Sequence, residues 1–189
     1  ATEIDMDAPC VVFLHGTLGS GADWEPVGTV LPSRFRVYAP DLPGVACGAP
    51  APHAGYGIAE EAESLLARIG SRFGSARVHL VGHDYGAVVA LEMARRQPSR
   101  IASLVLYEPT RFDLLTDPFD REFLSSVRRS VDVLVARGLE EGAARMYYDF
   151  WHGPGRFDAL AEATRARLAP ARSEEHTSEL QSPCNLVCR

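Results

Sequence analysis

The chain has 189 residues, enough for one domain with a sizeable core but few for two. Its 46% hydrophobic and 23% charged residues are typical of a soluble globular protein. A net charge of −6 argues against a nucleic-acid or anionic-membrane surface, and no apolar stretch approaches the ~20 residues of a bilayer span. We therefore expect a small-molecule partner, with neither nucleic acid nor a membrane. The sequence leaves the oligomeric state open.

Four short apolar runs, rich in Val and Leu and bounded by turn residues, predict β-strands buried on both faces. In chain order they are CVVFLHG (10–16), FRVYAPDLPG (35–44), RVHLVGH (77–83) and IASLVLYEP (101–109). Helical patterns lie between these runs. The alternation predicts an α/β fold with a mainly parallel sheet and helices on both faces.

Three helices are predicted between the strands. The first follows Asp23, a plausible N-cap. The third, YGAVVALEMARRQ (85–97), ends before Pro98. The second, AEEAESLLARIGSRF (59–73), combines an apolar stripe with acidic residues on the opposite face. That stripe consists of Ile58, Ala62, Leu65, Leu66 and Ile69.

Strand patterns cease after Pro109. Three further helices are predicted, at 119–137, 139–151 and 156–168. A helical block after the fourth strand of a parallel sheet is typical of an inserted cap. We predict a core domain over 1–109 and a helical cap over 110–171.

The end of the chain differs in composition from the rest. All 19 basic residues are Arg, and Ala, Gly and Pro are abundant up to about residue 171. The stretch RSEEHTSELQS (172–182) instead resembles the forward translation of a common sequencing-library adapter. We treat 172–189 as an artefactual tail, set His176 aside, and expect a gene truncated near Ala171, before the last strands of the fold.

The four cysteines show no disulfide or metal-binding pattern. Cys10 opens a strand and Cys47 lies in a Pro/Gly-rich loop, while Cys184 and Cys188 lack zinc-finger partners. The start ATEIDMDAP shows no signal peptide, so free thiols in a cytoplasmic protein are expected. No metal or cofactor is predicted.

The pentapeptide GHDYG (82–86) lies between a predicted strand and a predicted helix. This is the setting of a nucleophile elbow, a tight turn that presents its central side chain at the carboxyl end of the sheet. With FLHG (13–16) about seventy residues upstream, the chain resembles the α/β-hydrolase superfamily over roughly 9–171.

The resemblance implies roles for several residues. Asp84 takes the nucleophile position, and the N–H groups of Thr17 and Tyr85 take the oxyanion positions. His15 and His83 belong to the motifs and are expected to be structural. As an alternative or additional role, Asp84 caps the following helix.

Asp at this position favours different chemistry from Ser. An ionised carboxylate attacks an sp³ carbon and forms an alkyl ester, which water activated by a His then hydrolyses. GHD followed by an aromatic residue and Gly resembles epoxide hydrolases and haloalkane dehalogenases. Glu108 lies where some dehalogenases carry the acid that orients the His, although an ordinary loop carboxylate is an equal alternative.

Other features depart from those families. Tyr85 replaces the Trp with which dehalogenases hold halide, and HGTL (15–18) lacks the Pro of the epoxide-hydrolase loop. The chain is similar to bacterial α/β-hydrolases that carry Ser in GHSYGG in three places: the loop HGTL, the segment VLYEP and the stretch from Tyr147. In that stretch Tyr147, Tyr148 and Trp151 either line a substrate pocket or, for at least two of them, pack the cap.

The catalytic His of the superfamily follows the final strand, which the chain does not reach, and His152 is expected to be a loop or pocket residue. We predict a hydrolase of small apolar substrates that acts through Asp84 and a covalent ester. For the chain as given we predict negligible turnover. The alternatives are a member of the serine-esterase lineage inactivated by Asp84, or a non-catalytic ligand binder.

Overall fold

The computed structural model describes residues 8–43, 45, 52–53 and 56–169. The predictions for Cys47, Cys184, Cys188 and the tail 172–189 lie outside these ranges. Cys10, which the structure does describe, is a buried free thiol.

A four-stranded parallel sheet forms the centre of the fold. Its strands are β1 (Cys10–Leu14), β2 (Arg36–Tyr38), β3 (Val78–His83) and β4 (Ile101–Tyr107). They are arranged in the order β2-β1-β3-β4, and every pair is parallel. The predicted α/β fold with a mainly parallel sheet is therefore confirmed. All four carboxyl ends meet at one edge, where the loops after β1, β3 and β4 come together.

Six α-helices occur within the described ranges. They are α1 (Glu25–Val30), α2 (Ile58–Phe73), α3 (Tyr85–Arg96), α4 (Pro118–Ala136), α5 (Glu140–His152) and α6 (Glu162–Leu168). Short 3₁₀ turns precede α1 and flank β4, at Gly21–Trp24, Pro98–Arg100 and Phe112–Leu114. None of these helices is both long and apolar enough to span a bilayer.

The main core lies between the sheet and the helices α2 and α3. The predicted stripe of α2 faces this core, with Ile58 half-buried and the other four residues buried. The acidic residues were wrongly assigned as a group to the opposite face of α2, because Glu61 is fully buried beside the stripe.

The prediction that the strands are buried on both faces is correct only for β1. In β3 burial alternates, and β2 and β4 leave several side chains partly or largely exposed. The physical reason is position: β2 and β4 are the outer strands of the described sheet. Val105 on β4 is 53% exposed for this reason.

Two local predictions about helices were wrong. Asp23 lies inside the 3₁₀ turn, where its carboxylate accepts the N–H of Ser20 at 2.8 Å, and Trp24 is the N-cap of α1. The last helix begins at Glu162 rather than at 156. The Asp149 carboxylate accepts the N–H groups of Gly155 and Phe157 at 2.9 and 2.7 Å, which holds the preceding segment in turns.

The elbow between β3 and α3 requires glycine on both sides of Asp84. A Cβ on Gly86 would lie 2.4 Å from the Leu14 carbonyl oxygen and 2.5 Å from that of His15. A Cβ on Gly82 would lie 2.5 Å from the Cα of Ala87. The start of α3 therefore packs directly on the end of β1, which brings the loop after β1 to the elbow.

We expect Gly86→Ala to destabilise the protein by about 3 kcal/mol or more, since the new methyl group meets backbone that has no room to move. Gly70→Ala is the matched control. It lies within α2, and apart from its chain neighbours and the backbone of its own helix no atom lies within 4 Å of its Cβ position, so we expect it to be neutral or to stabilise by up to ~1 kcal/mol. Denaturant unfolding curves measure the stability of both variants. Equal midpoints would contradict the close contact between Gly86 and the end of β1.

Glu61 is an unusual buried residue of α2. Burial raises its pKa from 4.5 to about 7, while the nearby Tyr56 hydroxyl and Arg68 guanidinium oppose the rise. Within the described ranges neither carboxyl oxygen has a hydrogen-bond partner of good geometry, and neither has the hydroxyl of Tyr85. The folded state therefore favours the protonated, uncharged acid.

This residue makes stability depend on pH. The pKa of Glu61 is higher in the folded than in the unfolded state. Its contribution to the free energy of unfolding is therefore complete below pH 4.5 and is lost as the pH rises through about 7. We expect Glu61→Gln, which cannot ionise, to be more stable than the wild type by on the order of 3 kcal/mol at pH 8.

Unfolding free energies measured from pH 4.5 to 8 test this expectation. Glu63→Gln on the same helix is the control, since the Glu63 side chain is 75% exposed. Parallel pH profiles for the wild type and Glu61→Gln would contradict the assignment.

Candidate active site

Asp84 stands at the elbow in a strained conformation. Its φ of 51° and ψ of −118° are unusual for a residue other than glycine. Its N–H donates to the carbonyl oxygen of Tyr107 at 3.0 Å, which fixes the turn against the end of β4. Asp84 occupies the N-cap position of α3, but its side chain makes no capping hydrogen bond.

The Asp84 carboxylate instead accepts a hydrogen bond from the loop after β1. The N–H of Thr17 donates to Oδ2 of Asp84 at 2.8 Å. Tyr85 begins α3, and the first-turn N–H groups of a helix lack partners within the helix. The Thr17 hydrogen bond and the positive end of α3 both stabilise negative charge at Asp84.

His15 holds the loop after β1 in place. Its Nε2 accepts the N–H of Leu42 at 2.9 Å, so Nδ1 carries the proton and donates to the Gly16 carbonyl at 2.8 Å. Burial lowers the pKa of His15, which keeps the ring neutral. His15 therefore braces the loop after β1 against the loop after β2.

Glu108 and His83 lie side by side next to Asp84. His83 and Tyr107 are paired in the register of β3 and β4, and Glu108 follows with a φ of 48°. Oε2 of Glu108 lies 3.8 Å from Nε2 of His83, whose side chain is 41% exposed. The structure thus places Glu108 against the His that precedes Asp84. The register of β3 and β4, which the sequence alone does not specify, brings the two residues together.

A cavity of about 640 Å³ opens above Asp84. Its walls come from the loop after β1, the elbow, the end of β4 and the helices α5 and α6. A cavity of this size accommodates a small-molecule ligand. The predicted pocket residues Tyr147, Tyr148 and Trp151 all line it, as do Thr17, Asp84 and Glu108. The side chain of Tyr85 is 1% exposed and packs in the core instead.

The aromatic residues of α5 also pack against their neighbours. The ring centroid of Tyr148 lies 4.1 Å from that of His152 and 6.1 Å from that of Phe157. The Trp151 ring stacks on Phe112 at 6.0 Å. Packing and cavity lining are therefore compatible for these side chains.

Sequence reasoning missed several residues of the cavity wall. Asp23, Trp24, Thr164 and Arg167 line it, and Nη1 of Arg167 lies 3.6 Å from Oδ1 of Asp23. Both side chains are about half exposed, so this ion pair contributes little stability. No motif identifies these residues, because they meet only when α6 folds over the loop after β1.

Comparisons with known proteins identify the family and the fold. A protein of Variovorax paradoxus, provisionally named carbamate hydrolase RutD, is 40% identical over 101 residues, which are 53% of this chain and 38% of that protein. A protein of Rhizobium rhizogenes with the same provisional name is 27% identical over 196 residues, which cover 96% of this chain and 74% of that protein. The chain thus matches only part of the length of these relatives.

Among solved structures, MGS-M2, an α/β hydrolase enzyme from a Medee basin deep-sea metagenome library, gives a TM-score of 0.64 at 18% identity. That match covers 89% of this chain and 62% of MGS-M2, and it concerns the fold alone. The family model for the α/β hydrolase fold matches residues 9–165. The chain therefore belongs to the α/β hydrolase fold family.

Proposed function

We propose that Asp84 is the nucleophile of a hydrolase that opens small, largely apolar epoxides through a covalent ester on its own carboxylate. The observation that carries this proposal is the hydrogen bond from the Thr17 N–H to Oδ2 of Asp84 at the base of the cavity. The carboxyl group of Asp84 thus lies at the cavity, and it does not cap α3.

The two oxygens of Asp84 take different roles. Oδ2 is held by Thr17, so we assign the attack on the substrate carbon to Oδ1. After attack, Oδ2 is the carbonyl oxygen of the new ester and still accepts the Thr17 N–H. When water adds to the ester carbon, negative charge develops on Oδ2, where a donor already points. The Tyr85 N–H at the start of α3 is the second donor that we assign to this oxygen.

The cavity walls favour an epoxide. Opening an epoxide produces an alkoxide that needs a proton, and the cavity-lining residues Tyr147 and Tyr148 carry hydroxyls suited to donate one. A halide leaving group instead needs N–H donors that face the cavity. The residue after the nucleophile does not supply one from its side chain, since Tyr85 is buried in the core.

Haloalkanes are the second candidate substrates, because of one observation. Trp24 belongs to the cavity wall, and within the described ranges its buried indole N–H has no hydrogen-bond partner. An indole N–H is a donor only, the type of group that binds a halide ion. Contact with a halide requires the Trp24 ring to turn this buried nitrogen towards the cavity. Both substrate classes require the same attack by Asp84.

Mass spectrometry of the intact protein tests the proposal. We expect incubation with an excess of an aryl-substituted epoxide to add one hydroxyalkyl group, and a primary bromoalkane to add one alkyl group with loss of bromide, each located on the peptide that contains Asp84. Asp84→Ala is expected to remain unmodified. Asp149→Asn removes a carboxylate held by backbone N–H groups away from the cavity wall, and it should label like the wild type.

Asp84→Ser distinguishes this proposal from the serine-esterase lineage. If the wild type forms no adduct and no product while Asp84→Ser hydrolyses aryl carbamates or esters, the Asp is an inactivating replacement. If neither variant reacts but the epoxide binds saturably in calorimetry, the protein is a ligand binder. Either outcome overturns the proposal.

A further inference from the structure

We infer that Glu61 is a pH-sensitive switch for the elbow. With Glu61 protonated, the start of α3 packs against α2, and the elbow holds Asp84 against the Thr17 N–H. Loss of the proton opens this contact and breaks the hydrogen bond between Thr17 and Asp84. The inference goes beyond the proposed function and does not depend on it, because this hydrogen bond can be followed without a substrate.

Glu61 lies in the interior between α2 and the start of α3. It is 0% exposed, and its neighbours Tyr56, from the segment before α2, and Tyr85, the first residue of α3, are also buried. The described core around them consists of apolar side chains, among them Ala62 and Leu65 of α2. The carboxyl group of Glu61 therefore has no contact with solvent.

The phenol groups that face Glu61 stay uncharged near neutral pH. Burial raises the pKa of Tyr56 to about 12 and also raises the pKa of Tyr85. Glu60 is exposed on α2 and interacts with Tyr85. Among the described residues, neither the carboxyl oxygens of Glu61 nor the Tyr85 hydroxyl has a hydrogen-bond partner of good geometry. A negative charge on Glu61 therefore finds no ready donor in this contact.

The cation that interacts with Glu61, Arg68, does not form an ion pair with it. Cζ of Arg68 lies 5.8 Å from the ring centroid of Tyr38, and Nη1 donates to the carbonyl oxygen of Asp41 at 3.5 Å. Burial outweighs the influence of Arg68 and raises the pKa of Glu61 from 4.5 to about 7. Above this pH the carboxylate is ionised, which is unfavourable in an apolar interior unless water reaches it.

Opening at the start of α3 is favoured because the elbow is strained. Asp84, directly before Tyr85, has a φ of 51°, and such a conformation persists only where surrounding contacts enforce it. The buried Tyr85 side chain supplies one of these contacts. When Tyr85 moves away from α2 to admit water to Glu61, the backbone of Asp84 relaxes and Oδ2 leaves the Thr17 N–H. An opening at Tyr56 relieves no such strain, because Tyr56 has no positive φ.

Amide hydrogen exchange followed by NMR tests the switch. The amides to follow are Thr17, which donates to Oδ2 of Asp84, and Ala87 and Val88, which donate to the Asp84 carbonyl at 3.1 and 3.3 Å. After correction for intrinsic exchange rates, we expect their protection factors in the wild type to fall by about 30-fold from pH 5.5 to pH 8. This ratio is the one for a carboxyl group whose pKa is about 7 when the contact is closed and 4.5 when it is open.

Glu61→Gln cannot ionise, so the same three protection factors are expected to change by less than about twofold over this pH range. Glu63→Gln is the matched control, since the Glu63 side chain on the same helix is 75% exposed, and it should keep the wild-type profile. Unfolding curves show whether Glu61→Gln folds. If it does not, Glu61→Met replaces it, because Met is also unbranched and cannot ionise.

Low concentrations of urea separate a local opening from global unfolding. Exchange through global unfolding accelerates in urea, because unfolding exposes a large surface, whereas exchange through a small opening does not. At pH 8 we expect Thr17, Ala87 and Val88 to exchange faster than the amides of β1 and with less dependence on urea. Equal rates and equal urea dependence for both sets of amides would overturn the switch.

Three other outcomes would overturn the inference. The first is protection of the three amides that does not change with pH in the wild type. The second is an unchanged pH profile in the non-ionising variant of Glu61, which would assign the effect to another titrating group. The third is a loss of protection confined to the Tyr56 N–H, which donates to the carbonyl oxygen of His53 at 3.2 Å, since the opening would then lie away from the elbow.

Discussion

The site depends on the close contact between the start of α3 and the end of β1. Gly86 has no Cβ, so the helix approaches the carbonyl groups of Leu14 and His15 at a distance that excludes any side chain. This contact brings the loop after β1 to the elbow, and only then does the Thr17 N–H reach Asp84 across 67 positions of sequence. Asp84 at the elbow and the Thr17 N–H that binds its carboxyl group are therefore a single packing feature.

Backbone strain is concentrated around the same cavity. Within the described ranges, the residues other than glycine with positive φ are Leu18, Asp84 and Glu108, and all three line the cavity. Each such conformation costs on the order of 1–3 kcal/mol and persists only where surrounding contacts enforce it. Backbone hydrogen bonds from Leu18 to Val45 and from Asp84 to Tyr107 supply that enforcement. The fold thus maintains backbone strain around the cavity, at Leu18 and at the two carboxyl residues Asp84 and Glu108.

The sequence predicted features that local patterns determine. The four strands, the helix after the elbow and the position of Asp84 follow from periodicity and from the glycines of GHDYG. Glu61 was wrongly assigned to the exposed face of α2. Its burial depends on how α2 packs against Tyr56 and Tyr85, which helical periodicity alone does not specify. The contact between His83 and Glu108 depends on the register of β3 and β4, and the burial of each strand depends on its place in the sheet.

The Thr17 hydrogen bond also bears on which class of reaction the site suits. A serine in the elbow would leave this N–H for the carbonyl oxygen of an acyl substrate, which is how a carbamate or ester gains its oxyanion donor. With Asp84 in place, the donor is already occupied by Oδ2 of Asp84. An acyl substrate would have to displace that oxygen, whereas an epoxide or haloalkane needs no such donor in the first step. In the second step of the proposed reaction, the ester on Asp84 would use the same donor without rearrangement. Under the proposed function, Asp in place of Ser would turn an oxyanion site for substrate into one for the covalent intermediate.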